Sequence, residues 1–258
     1  MPKTTLITGA SSGIGATYAD RFAKRGHDLV LVARDAARME VLAGRLRSET
    51  GVAIDILPAD LTQDADVARV ADRLRDDADI GILVNNAGAA LRGAYAEQDS
   101  AAIARLIALN TTSLALLAHA AAARFARQGS GAIINIASVV GLVPEFGQTA
   151  YGATKAFATF LSQGLAFELG PKGVYVQAVL PAATRTEIWE RAGARAADLP
   201  PMMEVGDLVD AALAGFDARE AITIPALRDA DLWNTYQAAR QAMLPEFGNT
   251  QPAARYRG

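Results

Sequence analysis

The stretch YGATK, Tyr151 to Lys155, places a phenol and a primary amine four residues apart. In an α-helix, residues i and i+4 lie on one face about one turn apart, so both side chains can point into the same small volume. A phenol with a pKa of about 10 is a poor acid or base near neutral pH, but a nearby cation favours its ionised form. The pair is therefore a candidate proton-transfer device, although chance also places Tyr and Lys at this spacing on many helices.

A glycine-rich turn follows the first apolar segment of the chain. TGASSGIG, residues 8–15, has glycines at 9, 13 and 15, which allow a tight turn and a close approach of the backbone. A helix that begins there directs free N–H groups and the positive end of its dipole at a phosphate. The spacing is G-x-x-x-G-x-G, not the commoner G-x-G-x-x-G, and such a turn can also serve helix–strand packing alone. Its position at the first strand-to-helix turn favours a dinucleotide site.

Polar residues follow three further apolar segments where each segment ends. Asp60 and Leu61 follow the third, NNAG (85–88) follows the fourth, and Ser138 ends the fifth. Each has a structural alternative: a helix cap for Asp60, a turn for NNAG, and a satisfied polar group for Ser138. Because ligands bind outside the carboxyl ends of strands in open α/β sheets, the set together predicts one crevice.

Short apolar segments alternate with longer amphipathic ones along the chain. The apolar segments predict buried strands at 4–8, 28–33, 52–59, 81–85, 131–138, 174–181 and 221–225. The others predict helices at 13–26, 35–49, 64–77, 99–128, 151–169, 187–196 and 206–217. This alternation predicts parallel strands with right-handed crossovers, and hence an α/β fold with a doubly wound sheet. Since no repeat or linker divides the chain, we expect a single domain over 1–258, with a last helix and a polar tail at 229–258.

Composition argues against several classes of protein. The 258 residues are 51% hydrophobic, enough for a large core, and 25 basic against 28 acidic residues give a net charge of −3. No long charge run indicates a nucleic-acid or anionic-membrane surface. With no cysteine and two histidines, we expect no metal site. The N-terminus lacks the apolar core of a signal peptide and no apolar stretch approaches the ~18 residues of a membrane span, so we expect a cytoplasmic protein.

Taken together, the motifs resemble the short-chain dehydrogenase/reductase family in its compact single-domain branch. The resemblance rests on TGASSGIG, NNAG, Asn110 in ALNTTS, Ser138 and YGATK, in the family's order and near its spacing, and it extends to about residue 225. It implies a Rossmann-type sheet of about seven strands in the order 3-2-1-4-5-6-7 with helices on both faces. It also implies NAD(P)-dependent hydride transfer between a carbonyl and an alcohol.

The resemblance implies roles for four catalytic residues. Tyr151 would be the general acid in reduction and the base in oxidation, and Lys155 would lower the pKa of the phenol and hydrogen-bond the nicotinamide ribose. Ser138 would hydrogen-bond the substrate oxygen, and Asn110 would hold a water that links Lys155 to solvent. The hydride belongs to the cofactor, so the protein supplies position, a proton and an electrostatic setting.

The cofactor-binding residues implied in the same way follow the first, second, third, fourth and sixth predicted strands or lie on the helix at 151–169. They are Gly9, Ser11, Gly13, Ile14, Gly15, Arg34, Asp60, Leu61, Asn86, Ala87, Gly88, Tyr151, Lys155, Pro181, Thr184 and Thr186. The family usually reads P-G-x-x-x-T after the sixth strand, whereas Ala182 follows Pro181 here. We therefore expect the loop facing the nicotinamide carboxamide to be retained, with a different local backbone at Ala182.

The residues after the second strand bear on the choice between NADP and NAD. Ala33 stands where NAD-preferring relatives usually carry an acid, and Arg34 stands where NADP-preferring relatives carry a phosphate-binding arginine. Asp35 fits the N-cap of the next helix. Ser12 occupies the place of a second basic residue in many NADP-dependent relatives, which leaves one firm charged partner for the phosphate. We expect NADP (NADPH), with NAD as the alternative and a solvated surface charge as the alternative for Arg34.

Apolar residues dominate the segments expected to enclose the substrate. The family usually builds its substrate lid at the segment that is 187–203 here. Its apolar residues are Ile188, Trp189, Leu199, Met202 and Met203. VVGLVPEF (139–146) adds further apolar walls, although the two methionines also suit ordinary packing. We expect a small-molecule partner, a hydrophobic ketone or aldehyde and its alcohol, rather than a sugar phosphate or an acyl-carrier thioester.

Two other functions remain open on the same fold. A catalytically silent NAD(P)-binding sensor or scaffold would be expected to lose one of Ser138, Tyr151 or Lys155, and all three are present. An epimerase or dehydratase with the same Tyr and Lys is typically longer, with a larger C-terminal domain.

Surplus apolar residues on the helices at 99–128 and 151–169, which pair across a two-fold axis in the family, predict a homodimer or homotetramer.

Overall fold

Seven strands form one parallel sheet in the computed structural model of this protein, which describes residues 4–193, 199 and 201–257. The strands are β1 (Thr4–Thr8), β2 (Asp28–Ala33), β3 (Ile54–Pro58), β4 (Ile80–Asn85), β5 (Gly131–Ile136), β6 (Val174–Val179) and β7 (Ile222–Thr223). Their order is 3-2-1-4-5-6-7 and every pairing is parallel. The predicted Rossmann-type sheet is confirmed, and its order reverses between β1 and β4, where such sheets bind ligands.

Helices cover both faces of the sheet. They are α1 (Gly13–Lys24), α2 (Ala36–Thr50), α3 (Asp64–Asp76), α4 (Ser100–Ile107), α5 (Leu114–Gln128), α6 (Thr149–Leu169), α7 (Ile188–Arg191) and α8 (Val205–Asp217). One core cluster packs α1, α2 and α8 against the sheet through residues such as Phe22, Met39 and Leu213. A second cluster packs α3 and α5 on the other face, with Leu74 and Phe125 buried. Because both faces are covered, the strands are continuous apolar runs rather than alternating ones.

Several strands end earlier than their apolar runs suggest. β5 stops at Ile136 and β6 at Val179, so Ser138 and Pro181 lie in the loops beyond them. The predicted seventh strand, 221–225, is reduced to two residues at the edge of the sheet, where Pro225 cannot donate a ladder hydrogen bond. The loops at the carboxyl ends are thereby longer, and they carry the polar groups of the crevice.

The predicted helix at 99–128 contains a π-helical turn. Residues Ala108–Ser113 form this turn between α4 and α5, and Asn110 lies within it. Such turns are rare and are frequent at functional sites. The run Ser100–Gln128 is also the one helix, among the residues that the structure describes, that is long and apolar enough to cross a membrane. Its residues Leu117 and Phe125 are buried in the core, and core helices of soluble proteins meet the same criterion.

A second compact unit begins after Pro225. It contains α9 (Ala230–Ala242), which lies within the predicted range; Asp229 caps its first turn, and Trp233 stacks on Tyr236 with ring centroids 5.4 Å apart. The expectation of one domain over the whole chain stays a prediction. The predicted helix at 187–196 is limited to Ile188–Arg191, and positions 194–196 lie outside the described residues.

Candidate active site

The glycine-rich turn joins β1 to α1 at the switch point of the sheet. Gly9 and Gly13 have φ values of +66° and +53°, in the left-handed region that side chains disfavour. A Cβ on Gly15 would lie 2.3 Å from the carbonyl oxygen of Gly9. The turn is therefore restricted to glycine by backbone conformation and by space, and its backbone is open to close approach by a ligand.

The start of α1 is suited to an anion. Ser12, the N-cap residue, has an extended backbone, and its side chain makes no capping hydrogen bond to any residue that the structure describes. No acidic residue lies in the first turn, so the positive end of the helix dipole is not neutralised there. The N–H groups of Gly13, Ile14 and Gly15 belong to the first turn, whose donors have no partner within a helix. These features fit a pyrophosphate group.

Thr8 and Asn86 hold two loops of the crevice together. The Thr8 hydroxyl oxygen accepts hydrogen bonds from the backbone N–H groups of Asn86 and Ala87, each at 2.9 Å. The Asn86 side-chain amide donates to the carbonyl oxygen of Thr8 at 2.8 Å and to that of Gly9 at 3.3 Å. NNAG therefore supports the glycine-rich turn directly, and Thr8 is a contributor that sequence reasoning missed.

The Asn110 and Lys155 side chains both lie close to Gly88. A Cβ on Gly88 would lie 3.3 Å from Asn110 Oδ1 and 3.6 Å from Lys155 Nζ. The buried Asn110 side chain accepts from the N–H of Ala89 and donates to its carbonyl oxygen, both at 2.9 Å, and donates to Thr154 Oγ1 at 3.0 Å. Asn110 thus ties the loop after β4 to α6, while its expected part in holding a water stays a prediction.

Ser138, Tyr151 and Lys155 meet beyond the end of β5. The Ser138 hydroxyl is buried and donates to the carbonyl oxygen of Pro181 at 3.1 Å. Lys155 Nζ donates to the carbonyl oxygen of Ile136 at 2.8 Å and lies 5.7 Å from the centroid of the Tyr151 ring. Since Tyr151 and Lys155 are one turn apart on α6, both face the serine, as the i, i+4 spacing predicts.

Burial sets the protonation states of these groups. It raises the pKa of Tyr151 to about 12, while the interaction with the Ser138 side chain acts in the opposite direction. Burial also lowers the pKa of Lys155 to about 8. The expected lowering of the phenol pKa by Lys155 stays a prediction, and in this structure burial sets the direction of the shift. Near neutral pH Tyr151 therefore carries its proton and Lys155 carries its charge, a combination that suits proton donation.

Two glycines that sequence reasoning missed bring the serine loop onto α6. A Cβ on Gly141 would lie 2.6 Å from the backbone nitrogen of Ala156, and a Cβ on Gly152 would lie 2.9 Å from the carbonyl oxygen of Val140. These close contacts set the separation of Ser138 from Tyr151 and Lys155. The only signal in the sequence is a glycine three residues after the serine and another directly after the tyrosine.

Gly141→Ala is expected to lower the free energy of unfolding by about 1–3 kcal/mol, because the added methyl group meets backbone atoms that cannot easily move. Turnover should also fall, since the serine loop must shift. Gly44→Ala is the matched control: it lies in α2 with open space around its Cβ position and should be neutral or stabilising. Urea denaturation and turnover of both variants provide the measurement, and equal behaviour would contradict the packing argument.

The residues after β2 and β3 lie at the far end of the crevice. Asp35 caps α2 by accepting a hydrogen bond from the N–H of Arg38 at 3.0 Å, which agrees with the predicted capping role, and Arg34 is exposed beside it. Asp60 accepts from the N–H and the hydroxyl of Thr62. Burial favours the neutral form of Asp60, but these hydrogen bonds and the charge of Arg34 outweigh it and lower its pKa. Asp60 is therefore ionised and oriented.

The lid segment begins beside the glycine-rich turn. Thr184 and Met203 form an isolated parallel bridge. The N–H of Met203 donates to the carbonyl oxygen of Ala183, and the carbonyl oxygen of Met203 accepts from the N–H of Arg185, both at 2.9 Å. A Cβ on Gly13 would lie 3.2 Å from the Thr186 methyl group. The two ends of the predicted lid, 187–203, therefore lie close together, and its start is next to the glycine-rich turn.

A switch-point crevice with a glycine-rich turn and a Ser, Tyr and Lys set defines the class of dinucleotide-dependent oxidoreductases. The short chain dehydrogenase family matches residues 3–197, and the chain belongs to this family. It is an NAD(P)-binding oxidoreductase. The serine 3-dehydrogenase of Agrobacterium fabrum is 39% identical over 189 residues, which are 72% of this chain and 74% of that protein.

Two solved structures are similar over almost the whole chain. A short-chain dehydrogenase from Sphingobium yanoikuyae in complex with NADPH is 62% identical, with a TM-score of 0.96, covering 99% of this chain and 100% of that one. The bulky-bulky ketone specific alcohol dehydrogenase from Comamonas testosteroni is 58% identical, with a TM-score of 0.93, covering 100% of this chain and 99% of that one. The roles of individual residues in this chain stay predictions.

Proposed function

We propose that this protein catalyses the NADPH-dependent reduction of apolar ketones or aldehydes, and the reverse oxidation of secondary alcohols. The observation that carries the proposal is the arrangement of Ser138, Tyr151 and Lys155, with the phenol protonated and the amine buried, in the crevice that also holds the glycine-rich turn. NADPH as cofactor is supported by Arg34 after β2 and by the NADPH complex of the Sphingobium enzyme.

Residues around the crevice would hold the cofactor along its length. Gly9, Ser11, Gly13, Ile14 and Gly15 would contact the pyrophosphate, and Arg34, Asp60 and Leu61 the adenosine half. The nicotinamide half would contact Asn86, Ala87, Gly88, Tyr151, Lys155, Pro181, Thr184 and Thr186. When bound, NADPH supplies the hydride that adds to the carbonyl carbon.

Ser138 and Tyr151 act on the substrate oxygen. Ser138 turns its hydroxyl from the Pro181 carbonyl to the substrate carbonyl oxygen and orients it. Tyr151 then donates its proton to that oxygen, so that the product leaves as a neutral alcohol. The positive charge of Lys155 stabilises the phenolate that remains until a proton returns from solvent, and Asn110 keeps α6 in register with the loop after β4.

The proposed substrate class is a ketone with bulky apolar substituents. The lid residues Ile188, Trp189, Leu199, Met202 and Met203 are partly buried apolar side chains. Trp189 is held in place by a hydrogen bond from its indole N–H to the carbonyl oxygen of Thr184 at 2.7 Å. Burial of apolar substrate area against an apolar lid favours binding, and the Comamonas enzyme is described as specific for bulky-bulky ketones.

A substrate panel tests this proposal. NADPH consumption is followed by the absorbance of the reduced nicotinamide with a ketone bearing two bulky apolar groups, with acetone, with a sugar phosphate, and in the oxidative direction with serine and NADP. We expect the highest kcat/KM for the bulky ketone. Preference for serine would assign the activity of the Agrobacterium relative instead, and no turnover of any carbonyl or alcohol would favour the silent sensor or scaffold.

We propose that the protein forms a homodimer or homotetramer through α6 and the α4–α5 run. Phe157, Phe160 and Phe167 of α6 are 40%, 79% and 85% exposed, and Leu116 of α5 is 48% exposed. Large apolar side chains on neighbouring helices are typical of an interface. Light scattering at micromolar concentration should show an oligomer, and Phe160→Glu should shift it towards the monomer. A monomeric wild type would contradict the proposal.

We further propose that the protein works in the cytoplasm with small-molecule partners and without nucleic acid or membrane. The slightly acidic net charge of −3 and the absence of long basic runs support this. The burial of Leu117 and Phe125 of α5 against the sheet also supports it.

A further inference from the structure

Arg38 and Glu187 form an ion pair that joins α2 to the lid. Arg38 Nη1 donates to both carboxylate oxygens of Glu187, at 2.9 and 2.8 Å, although the residues are 149 positions apart in the chain. Glu187 Oε2 also accepts from Arg191 at 2.6 Å. None of the motifs named in the sequence analysis includes Arg38, Glu187 or Arg191. One carboxylate thus lies between two arginines, and we name Arg38, Glu187 and Arg191 the lid ion-pair cluster.

The lid ion-pair cluster lies beside the predicted phosphate-binding turn. Arg191 Nη2 is 3.4 Å from the Ser12 hydroxyl oxygen, and the methyl group of Thr186, next to Glu187, packs over Gly13. Arg38 stands in the first turn of α2, four residues after Arg34. The cluster therefore extends from the glycine-rich turn to the residues expected to bind the adenosine ribose.

A carboxylate and a phosphate are equivalent partners for an arginine, because the planar guanidinium pairs with either anion through two N–H groups. The Arg38 side chain is 50% exposed and Glu187 41% exposed, so solvent and ligands can reach the pair. Arg38 lowers the pKa of Glu187, which keeps the carboxylate charged near neutral pH. The second acid near Arg38, Asp35, is farther away at 3.5 Å and already caps α2.

We propose that Arg38 is a second anchor for the 2′-phosphate of NADP, and that Glu187 holds the Arg38 guanidinium until the phosphate displaces it. This inference rests on the proposed NADPH-dependent function. Arg38 supplies the second positive charge for the phosphate, which Ser12 at the glycine-rich turn cannot supply. NADH lacks the 2′-phosphate and therefore has no anion at this position to exchange for Glu187, so the cluster selects for NADP. The ion pair attaches the lid to α2 only until NADP binds.

Fluorescence titration of NADPH and NADH into four proteins tests the inference. The proteins are the wild type, Arg38→Gln, Glu187→Gln and the control Arg45→Gln, which removes an arginine of the same helix that pairs with Asp20 and Glu49. We expect Arg38→Gln to weaken NADPH about 10-fold or more and to leave NADH within about twofold. Glu187→Gln should tighten NADPH several-fold without tightening NADH, and Arg45→Gln should change neither cofactor.

The outcomes separate this inference from the function on which it rests. Unchanged NADPH affinity in Arg38→Gln, equal losses for both cofactors, or no gain in Glu187→Gln would overturn the anchor and exchange roles. A wild type that binds neither cofactor would instead overturn the proposed function. Repeating the titration with adenosine 2′,5′-bisphosphate and with AMP should reproduce the NADPH and NADH patterns respectively, because those probes isolate the 2′-phosphate.

Discussion

Tyr151→Phe is expected to lower turnover about 100-fold to 10,000-fold, the usual effect of removing a positioned proton donor. Burial raises the pKa of Tyr151 to about 12, so the phenol holds its proton at the pH of the reaction and gives it up as charge develops on the substrate oxygen. Phe keeps the ring and its packing on α6. Folding and cofactor binding should therefore be unchanged, and steady-state rates with a confirmed substrate provide the measurement.

Tyr175→Phe is the matched control for Tyr151→Phe. The Tyr175 hydroxyl donates to the carbonyl oxygen of Glu220 at 2.7 Å, outside the crevice, so the same chemical deletion should leave turnover close to that of the wild type. If Tyr151→Phe kept more than about a tenth of wild-type turnover, Tyr151 would not be the general acid.

Arg34→Ala is expected to weaken NADPH binding by about 10-fold to 150-fold, the factor that corresponds to losing one hydrogen bond to a charged group, about 1.5–3 kcal/mol. NADH binding should be nearly unchanged, since the adenosine ribose of NADH carries no 2′-phosphate. Titration of both cofactors into both proteins by fluorescence is the measurement. Arg75→Ala is the control, because this arginine pairs with Asp72 on α3.

The outcome that would reverse the assignment is equal or stronger binding of NADH by the wild type. Asp35 would then become the candidate ribose ligand. Asp35 would then have to give up the hydrogen bond that it accepts from the N–H of Arg38 at 3.0 Å, which would destabilise the start of α2. Asp35→Ala would then weaken NADH, whereas in its capping role it should lower stability and leave NADH affinity nearly unchanged.

The sheet and the position of the crevice could be predicted because they depend on local patterns. Apolar strands that alternate with helices permit few parallel arrangements, and the carboxyl ends of such strands meet at one edge. Tyr151 and Lys155 could be placed because helical geometry fixes residues four positions apart. Asp35 could be placed as a cap from the start of the next helical pattern.

Other features depend on contacts between distant residues and leave no local signal. The π-helical turn around Asn110 is a change of hydrogen-bond pattern inside an uninterrupted apolar run. The contact of Gly141 with the backbone of Ala156 appears only when two elements pack together. The pair of Arg38 and Glu187 spans most of the chain. The high pKa of Tyr151 follows from burial, which a motif does not measure.

Deuteride transfer from labelled NADPH is a direct test of the proposed hydride transfer to the carbonyl carbon. NADPH carrying deuterium at its transferable position is mixed with the protein and the bulky ketone, and the product is analysed by mass spectrometry. We expect the wild type to form an alcohol with one deuterium on the former carbonyl carbon, and Tyr151→Phe to form it far more slowly. Recovery of unreduced ketone, or an alcohol without deuterium, would contradict the proposed hydride transfer.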